Sequence, residues 1–468
     1  MKMKKYFIAS GIAAASIFGL ASCTKKNIVE TPDYVIYCAP DADPNGKGTI
    51  DSPIDFTVAL ATAQPGTTIA LAGGVYSYNA RLNIKGEGKP NKYITVMPAT
   101  TDDVIFDFSE MTFNGTNRGI QIYGDYWHFK DITVRGAGDN GMYVAGSYNI
   151  IENCVFYNNR DTGLQIGRGY SEETTINQWP SYNLIKNCVS YANYDDATYG
   201  ENADGYACKL TAGFGNVFDG CIAVRNSDDG WDLFAKEDSG NIGTVVLYNC
   251  LSFENGYLPY QIDRVDDTTG TTYKSFNTRD GDGIGFKLGG STMEGDVILN
   301  NCVSFNNKLH GFGDNSNPGV INIKNSTAFN NCIELTEDGK VGGRDTNGGK
   351  SNNIDLARGN SGISNSYNNY EGVLSYINNQ ANFNGASDSA EDSDDSLTYN
   401  ADKFRGSASY SIFQTGYSKG EKYITFTAPE DASIYSTSYN DITFSKGTAY
   451  TGMNDNCFAD LSPINALC

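Results

Sequence analysis

The chain has 468 residues with 55 acidic and 34 basic side chains, and its net charge of −21 argues against nucleic acid and anionic membrane surfaces as partners. Glycine (52) and tyrosine (31) are abundant and proline (12) is scarce. Asn, Asp, Ser and Thr separate short Val/Ile/Phe runs, a pattern of many short strands and polar turns.

The first element is an export signal. "MKMKKYFIASGIAAASIFGLASC" places Lys2, Lys4 and Lys5 ahead of an apolar run too short to span a membrane, and the run ends in small residues. "LASC" (Leu20–Cys23) has the form of a bacterial lipobox, which makes residues 1–22 a signal peptide, Cys23 a lipidated N-terminus and 23–33 a tether. The expected location is the outer membrane, at the cell surface or on its periplasmic face, with membrane contact only through the lipid. Residues 34–468 then form one domain, expected to act as a monomer, with a repeat core over about 80–335 and a loop-rich part over 336–468.

Next, "DADPNGKGTID" (41–51) loosely matches an EF-hand loop, but it lacks the glutamate that the twelfth position needs and reads as a turn. An amphipathic helix follows at about 54–63, then a Pro-Gly turn and an apolar strand. Together they suit a cap over the open end of a solenoid.

The repeats begin beyond this cap. "ENCVFYNN" (152–159), "KNCVSYAN" (186–193), "DGCIAVRN" (219–226), "YNCLSFEN" (248–255), "NNCVSFNN" (300–307) and "KNSTAFNN" (324–331) share one pattern. A cysteine or serine (154, 188, 221, 250, 302, 326) precedes an asparagine (159, 193, 226, 255, 307, 331) by five residues, at successive spacings of 34, 33, 29, 52 and 24. One such unit cannot bury its own apolar face, whereas stacked units can. Short strands without helical periodicity predict an all-β, right-handed parallel β-helix, with the asparagines stacked in one column.

Eleven cysteines in an exported chain would ordinarily suggest disulfides. Here Cys154, Cys188, Cys221, Cys250 and Cys302 hold one repeat position and read as core thiols, while Cys457 and Cys468 are a candidate bridge. After residue 332 the pattern decays, and "ASDSAEDSDDS" (386–396) reads as a solvated acidic loop.

The repeats serve as a ruler for chemistry. A glycine opens a strand after each ladder asparagine: Gly163, Gly205, Gly230, Gly285 and Gly311. Asp204 and Asp229 stand just before this glycine in adjacent coils, with Asp228 one place earlier, and Asp232 and Lys287 stand two places after it in adjacent coils. Neighbouring strands lie about 4.8 Å apart, so these side chains can converge. The spacing of 52 marks an insertion near 256–280, placed to wall a cleft. Asp204, Asp228, Asp229 and Asp232 on a rigid sheet would repel one another uncompensated, and hard oxygen ligands in that number suit Ca²⁺, although a solvated acidic face has the same pattern. Lys287 reads either as a charge partner for Asp232 or as a general base whose pKa a nearby cation would lower. Lys209 is the rival base. His128 and His310 lack a nucleophile or acid context and read as structural.

Calcium, an amine base and a long groove fit elimination across a uronic acid, in which the base removes the proton α to the carboxylate and the glycosidic oxygen leaves from the adjacent carbon. "ENADGYACKL", "NSDDGWDLF" and "GDGIGFKLGG", in this order and spacing, resemble the family-9 polysaccharide lyases, which are pectate-lyase-like β-helix enzymes, over about residues 34–335. The resemblance implies Asp204, Asp228, Asp229 and Asp232 as calcium ligands and Lys287, rather than Lys209, as the Brønsted base. It implies an acidic pectic polysaccharide as substrate, homogalacturonan or the rhamnogalacturonan I backbone. The insertion is long for that family. Two other readings share the fold: an inverting pectin hydrolase, which needs no metal, and a non-catalytic glycan-binding solenoid.

Overall fold

The computed structural model describes residues 34–324 without a break, most of 326–335, and beyond these only short segments between 341 and 444. The signal peptide and tether with Cys23, the acidic loop at 386–396 and the pair Cys457 and Cys468 lie outside the described residues.

The chain winds through three long sheets. Successive coils contribute one strand to each, as in Trp127–Lys130 (sheet one), Thr133–Arg135 (sheet two) and Met142–Val144 (sheet three). Sheets one and two hold 11 strands each and sheet three holds 10. Pairing between coils is parallel and in register, for example Ile151 with Phe129 and with Ile185. This is the all-β, right-handed parallel β-helix that the repeats predict. The expected cap is also present: a helix over Phe56–Thr62, whose first turn is closed by the Asp55 side chain accepting from Thr57 N, buries Phe56, Ala59 and Leu60 against the first coils.

Each coil is too short to make a core of its own, so the interior consists of columns. Cys154, Cys188, Cys221, Cys250 and Cys302 are all fully buried and unbridged, which bears out their reading as core thiols. A second column stacks the rings of Tyr206, Trp231, Phe286 and Phe312 with centroids 4.9, 4.7 and 5.1 Å apart. Trp231, inside the acidic motif, therefore faces the core.

At the corner between sheets two and three runs the asparagine ladder. The side-chain amides of Asn159, Asn193, Asn226, Asn255 and Asn307 each donate to the Oδ1 of the next asparagine at 2.8–3.0 Å. Asn331 passes the chain of bonds on to Asn353 at 3.2 Å. Backbone amides use the same acceptors, as when Asn159 N donates to Asn193 Oδ1 at 3.1 Å. Asn193→Ala is thus expected to leave buried donors on Asn159 unpaired and to lower stability by about 3 kcal/mol, measured as a shift of the urea midpoint.

The ladder also explains the glycines. A Cβ on Gly230 would meet Ser252 Oγ and stand 2.9 Å from Asn255 Nδ2, and one on Gly285 would stand 2.8 Å from Asn307 Nδ2. Sheet three can start beside the ladder only because these residues lack a side chain, and this fixes the height at which Asp232 and Lys287 emerge.

Candidate functional site

The site lies on the outer face of sheet three and on the turns that enter it. Tyr206–Cys208, Trp231–Asp232 and Phe286–Lys287 are consecutive strands, with Ala207 paired to Asp232 and Asp232 to Lys287. Asp204, Asp228 and Asp229 come from the turns before the first two of these strands. The insertion leaves the third turn as an antiparallel hairpin, Tyr257–Val265 with Thr272–Asn277, and stands beside the cluster.

Backbone donors aim the carboxylates. Asp228 accepts from Asn202 N (3.0 Å) and Asp282 N (2.7 Å), Asp229 from Ile284 N (2.7 Å), and Asp204 from Asp229 N (3.2 Å). One oxygen from each of Asp204, Asp228 and Asp229 lies within 4.8 Å of the other two. All three residues are buried. Asp232 stands at the edge of this group, with its Oδ2 2.9 Å from Lys209 Nζ.

The two lysines divide the cluster between them. Lys209 Nζ lies 2.7 Å from Asp204 Oδ2 as well as against Asp232, so it is tied to two carboxylates. Lys287 Nζ lies 3.0 Å from Asp229 Oδ2 and 3.9 Å from Asp282. Asp229 Oδ2 is buried and makes no hydrogen bond, so among the described residues the ion pair is the only partner that this atom has. The register places Lys287 beside Asp232, yet its amine reaches over to Asp229.

Burial pushes the Asp204 and Asp229 carboxyls well above the usual carboxylate range; neighbouring aspartates (Asp232 and Asp228 at Asp204, Asp228 and Asp204 at Asp229) add to it, while Lys209 and Lys287 respectively pull back. Burial also raises Asp228, again against Lys287. At Asp232 burial acts in the same direction, but Lys209 and Lys287 outweigh it and hold the group low. Burial would lower the Lys287 amine, and the surrounding aspartates, Asp229 first, instead hold it protonated far above its ordinary value.

These residues fit a divalent cation. Four aspartates and two lysines leave two negative charges uncompensated in a buried place, and the oxygen-only donor set is the kind that Ca²⁺ takes. Asp229 Oδ2, which has no hydrogen bond and only the Lys287 ion pair, is an oxygen that a cation could take over from the lysine. Both histidines lie elsewhere in the fold: His128 pairs with Glu152 at 3.1 Å on sheet one, and His310 lies 3.5 Å from Asp355, two coils beyond Asp229. Lys308, which donates to the carbonyl of Thr278 at 3.2 Å and so anchors the hairpin base, escaped the sequence reading. Its only cue is its place directly after a ladder asparagine.

Comparison with known proteins agrees with this architecture. The chain matches the profile "Pel9A-like, right handed beta helix region" over residues 36–353 and belongs to that family. It is 43% identical over 298 residues to "Pectate lyase L" of Paenibacillus polymyxa (strain SC2), a match that covers 63% of this chain and 63% of the relative. To "Pectate lyase L" of Dickeya chrysanthemi it is 34% identical over 348 residues, covering 71% of this chain and 75% of that one. Among solved structures, that of pectate lyase Pel9A superposes with a TM-score of 0.61 at 30% identity, covering 80% of this chain and 83% of the other.

Proposed function

We propose that the protein is a calcium-dependent polysaccharide lyase that cleaves a galacturonate-containing pectin backbone by β-elimination. The observation that carries this reading is Lys287 Nζ, 3.0 Å from an otherwise unbonded oxygen of Asp229 and beside three converging carboxylates. Relatives named pectate lyase support it.

Asp204, Asp228 and Asp229 would hold Ca²⁺, with Asp232 completing the set from the edge. When bound, the ion would ligate the uronate carboxylate and stabilise the negative charge that develops there. Lys287 removes the α-proton of the same sugar, and this requires its amine to be neutral. With the aspartate charges compensated, the interaction that keeps Lys287 protonated is relieved. The electron pair of the broken C–H bond forms a double bond to the adjacent carbon as the glycosidic oxygen leaves it. The product carries an unsaturated uronate end. Lys209, bound to Asp204 and Asp232, positions those carboxylates and has no free reach toward substrate.

The geometry disfavours the hydrolase reading. Inverting hydrolysis needs an acid and a base about 6.5–9.5 Å apart to admit a water, whereas Asp204, Asp228 and Asp229 bring one oxygen each within 4.8 Å of the others. The catalytic chain is proposed to act as a monomer after export, tethered to the outer membrane through Cys23.

The test is ultraviolet absorbance of unsaturated uronate on polygalacturonate and on rhamnogalacturonan I, each with calcium or a chelator. Absorbance that requires calcium is the expected result, and the faster polymer identifies the substrate. New reducing ends without absorbance would overturn the elimination in favour of hydrolysis.

A further inference from the structure

The inserted hairpin carries a feature that the carboxylate cluster does not use. Its inner side closes a cavity of about 170 Å³ against the loop that follows Asn193. Tyr194, Tyr199, Arg264 and Arg279 line it, together with Asp263, whose carboxylate is held by Lys274 at 2.8 Å. The Arg279 guanidinium lies over the Tyr199 ring, 3.6 Å from its centroid.

Arg264 is the unusual member. Its Nε is buried with no hydrogen-bond partner, and among the described residues no carboxylate pairs with it. The nearby acids are already committed: Asp263 to Lys274 at 2.8 Å, Asp280 to Arg279 at 2.9 Å, and Asp196 to Arg160 at 3.6 Å. A guanidinium at a cavity wall with no carboxylate in hydrogen-bonding contact, only the longer-range pull of Asp280 and the Tyr273 ring 5.7 Å away, can receive a ligand of negative charge.

The cavity adjoins the proposed chemistry. Arg279 N and Asp280 N both donate to the Tyr199 carbonyl at 3.1 Å, and Asp282 N donates to Asp228 Oδ1 at 2.7 Å. Arg279 and Asp282 are three positions apart in the chain, a span of at most about 11 Å. The volume is below the roughly 300 Å³ at which pockets for drug-sized ligands begin, so the cavity admits one charged group with part of one sugar ring.

We propose that this cavity is a uronate subsite, in which Arg264, with Arg279 beside it, receives the carboxylate of a sugar neighbouring the one that is cleaved, while Tyr194 and Tyr199 pack against its ring. The proposal rests on the pectic-polymer reading and deepens it. The planar guanidinium matches a carboxylate through two parallel hydrogen bonds, which an ammonium cannot reproduce. Chemistry at Lys287 and grip at Arg264 are then separable, because the hairpin projects from the coils and its removal of charge leaves the stacked core untouched.

The experiment uses tetragalacturonate with saturating calcium. Its Kd is measured by calorimetry on Lys287→Ala protein with and without Arg264→Gln or Arg264→Lys, and turnover of polygalacturonate is measured on the same Arg264 variants with Lys287 present. Arg264→Gln is expected to weaken binding about tenfold and to raise KM by a similar factor with kcat within twofold. Arg264→Lys is expected to recover part of that loss. The subsite is overturned if Arg264→Gln binds as tightly as its parent, if lysine does no better than glutamine, or if the Lys287→Ala parent binds no tetragalacturonate. Failure of the lyase reading looks different: wild-type protein would yield no unsaturated product while calorimetric binding, and its dependence on Arg264, persist.

Discussion

Lys287→Ala is expected to lower the rate of unsaturated-uronate formation about a thousandfold, the middle of the range that a positioned general base contributes. Lys287→Arg should be as inactive, because a guanidinium keeps the positive charge but does not give up its proton near neutral pH. A merely electrostatic role would predict the opposite for arginine, so the pair of variants separates base from counter-ion. Calcium affinity supplies the independent control. Lys287 is the one cation against Asp229 Oδ2, and its removal exposes an uncompensated buried carboxylate, so calorimetry should show calcium binding unchanged or tighter in Lys287→Ala. An inactive variant that also loses calcium would place Lys287 in the scaffold of the site and overturn its assignment as base.

The same geometry explains why Lys209 is the weaker candidate despite sitting on an adjacent rung. Its amine is held by Asp204 at 2.7 Å and Asp232 at 2.9 Å, and those two carboxylates keep it protonated against the effect of burial. Lys287 has one close partner and a second, half-exposed one at 3.9 Å. A base needs an amine that can be released, and only Lys287 sits where neutralising a single neighbour would do it.

Much of this was legible in the sequence because a β-helix writes its geometry as a period. The Cys–Asn phrase located one corner of every coil, and from that corner the relative heights of Asp204, Asp229, Asp232 and Lys287 followed by counting. What the period did not carry was overlooked. A second ladder, in which Asn149 N donates to Asn183 Oδ1 at 2.9 Å and Asn183 Nδ2 donates to Asn216 Oδ1 at 3.0 Å, lines the corner between sheets three and one. Its cue was the repeated "SYN" at 147–149 and 181–183. The rung at Asn353 lacked the cysteine or serine that marked the others. Side-chain reach was also hidden: counting puts Lys287 next to Asp232, but the amine swings to Asp229 because Lys209 already occupies Asp232. The Arg264 cavity depends on which loop a hairpin meets two coils away, and no local pattern encodes that.

Asp229→Asn is expected to cost calcium affinity at least a hundredfold. The carboxylate contributes one of the three oxygens that lie within 4.8 Å, and its Oδ2 makes no hydrogen bond that a cation would have to replace, only the Lys287 ion pair. The amide would keep the bond from Ile284 N through its carbonyl, so the turn should persist and the effect should be one of charge. Linkage gives a second readout that does not depend on turnover. A ligand at a hundredfold excess over its Kd stabilises the native state by about 2.7 kcal/mol, so saturating calcium should raise the Tm of wild type by several degrees and a chelator should reverse the rise. In Asp229→Asn the same calcium should raise Tm little; without calcium the variant loses one charge from a crowded set but leaves Lys287 without its close partner, so the calcium-dependent rise and not the absolute Tm is the readout. Asp238→Asn, at an exposed position, is the control and should keep the full calcium-dependent rise. A full rise in Asp229→Asn would move the cation elsewhere on the fold, and Lys287 would then lose the partner that makes its deprotonation feasible.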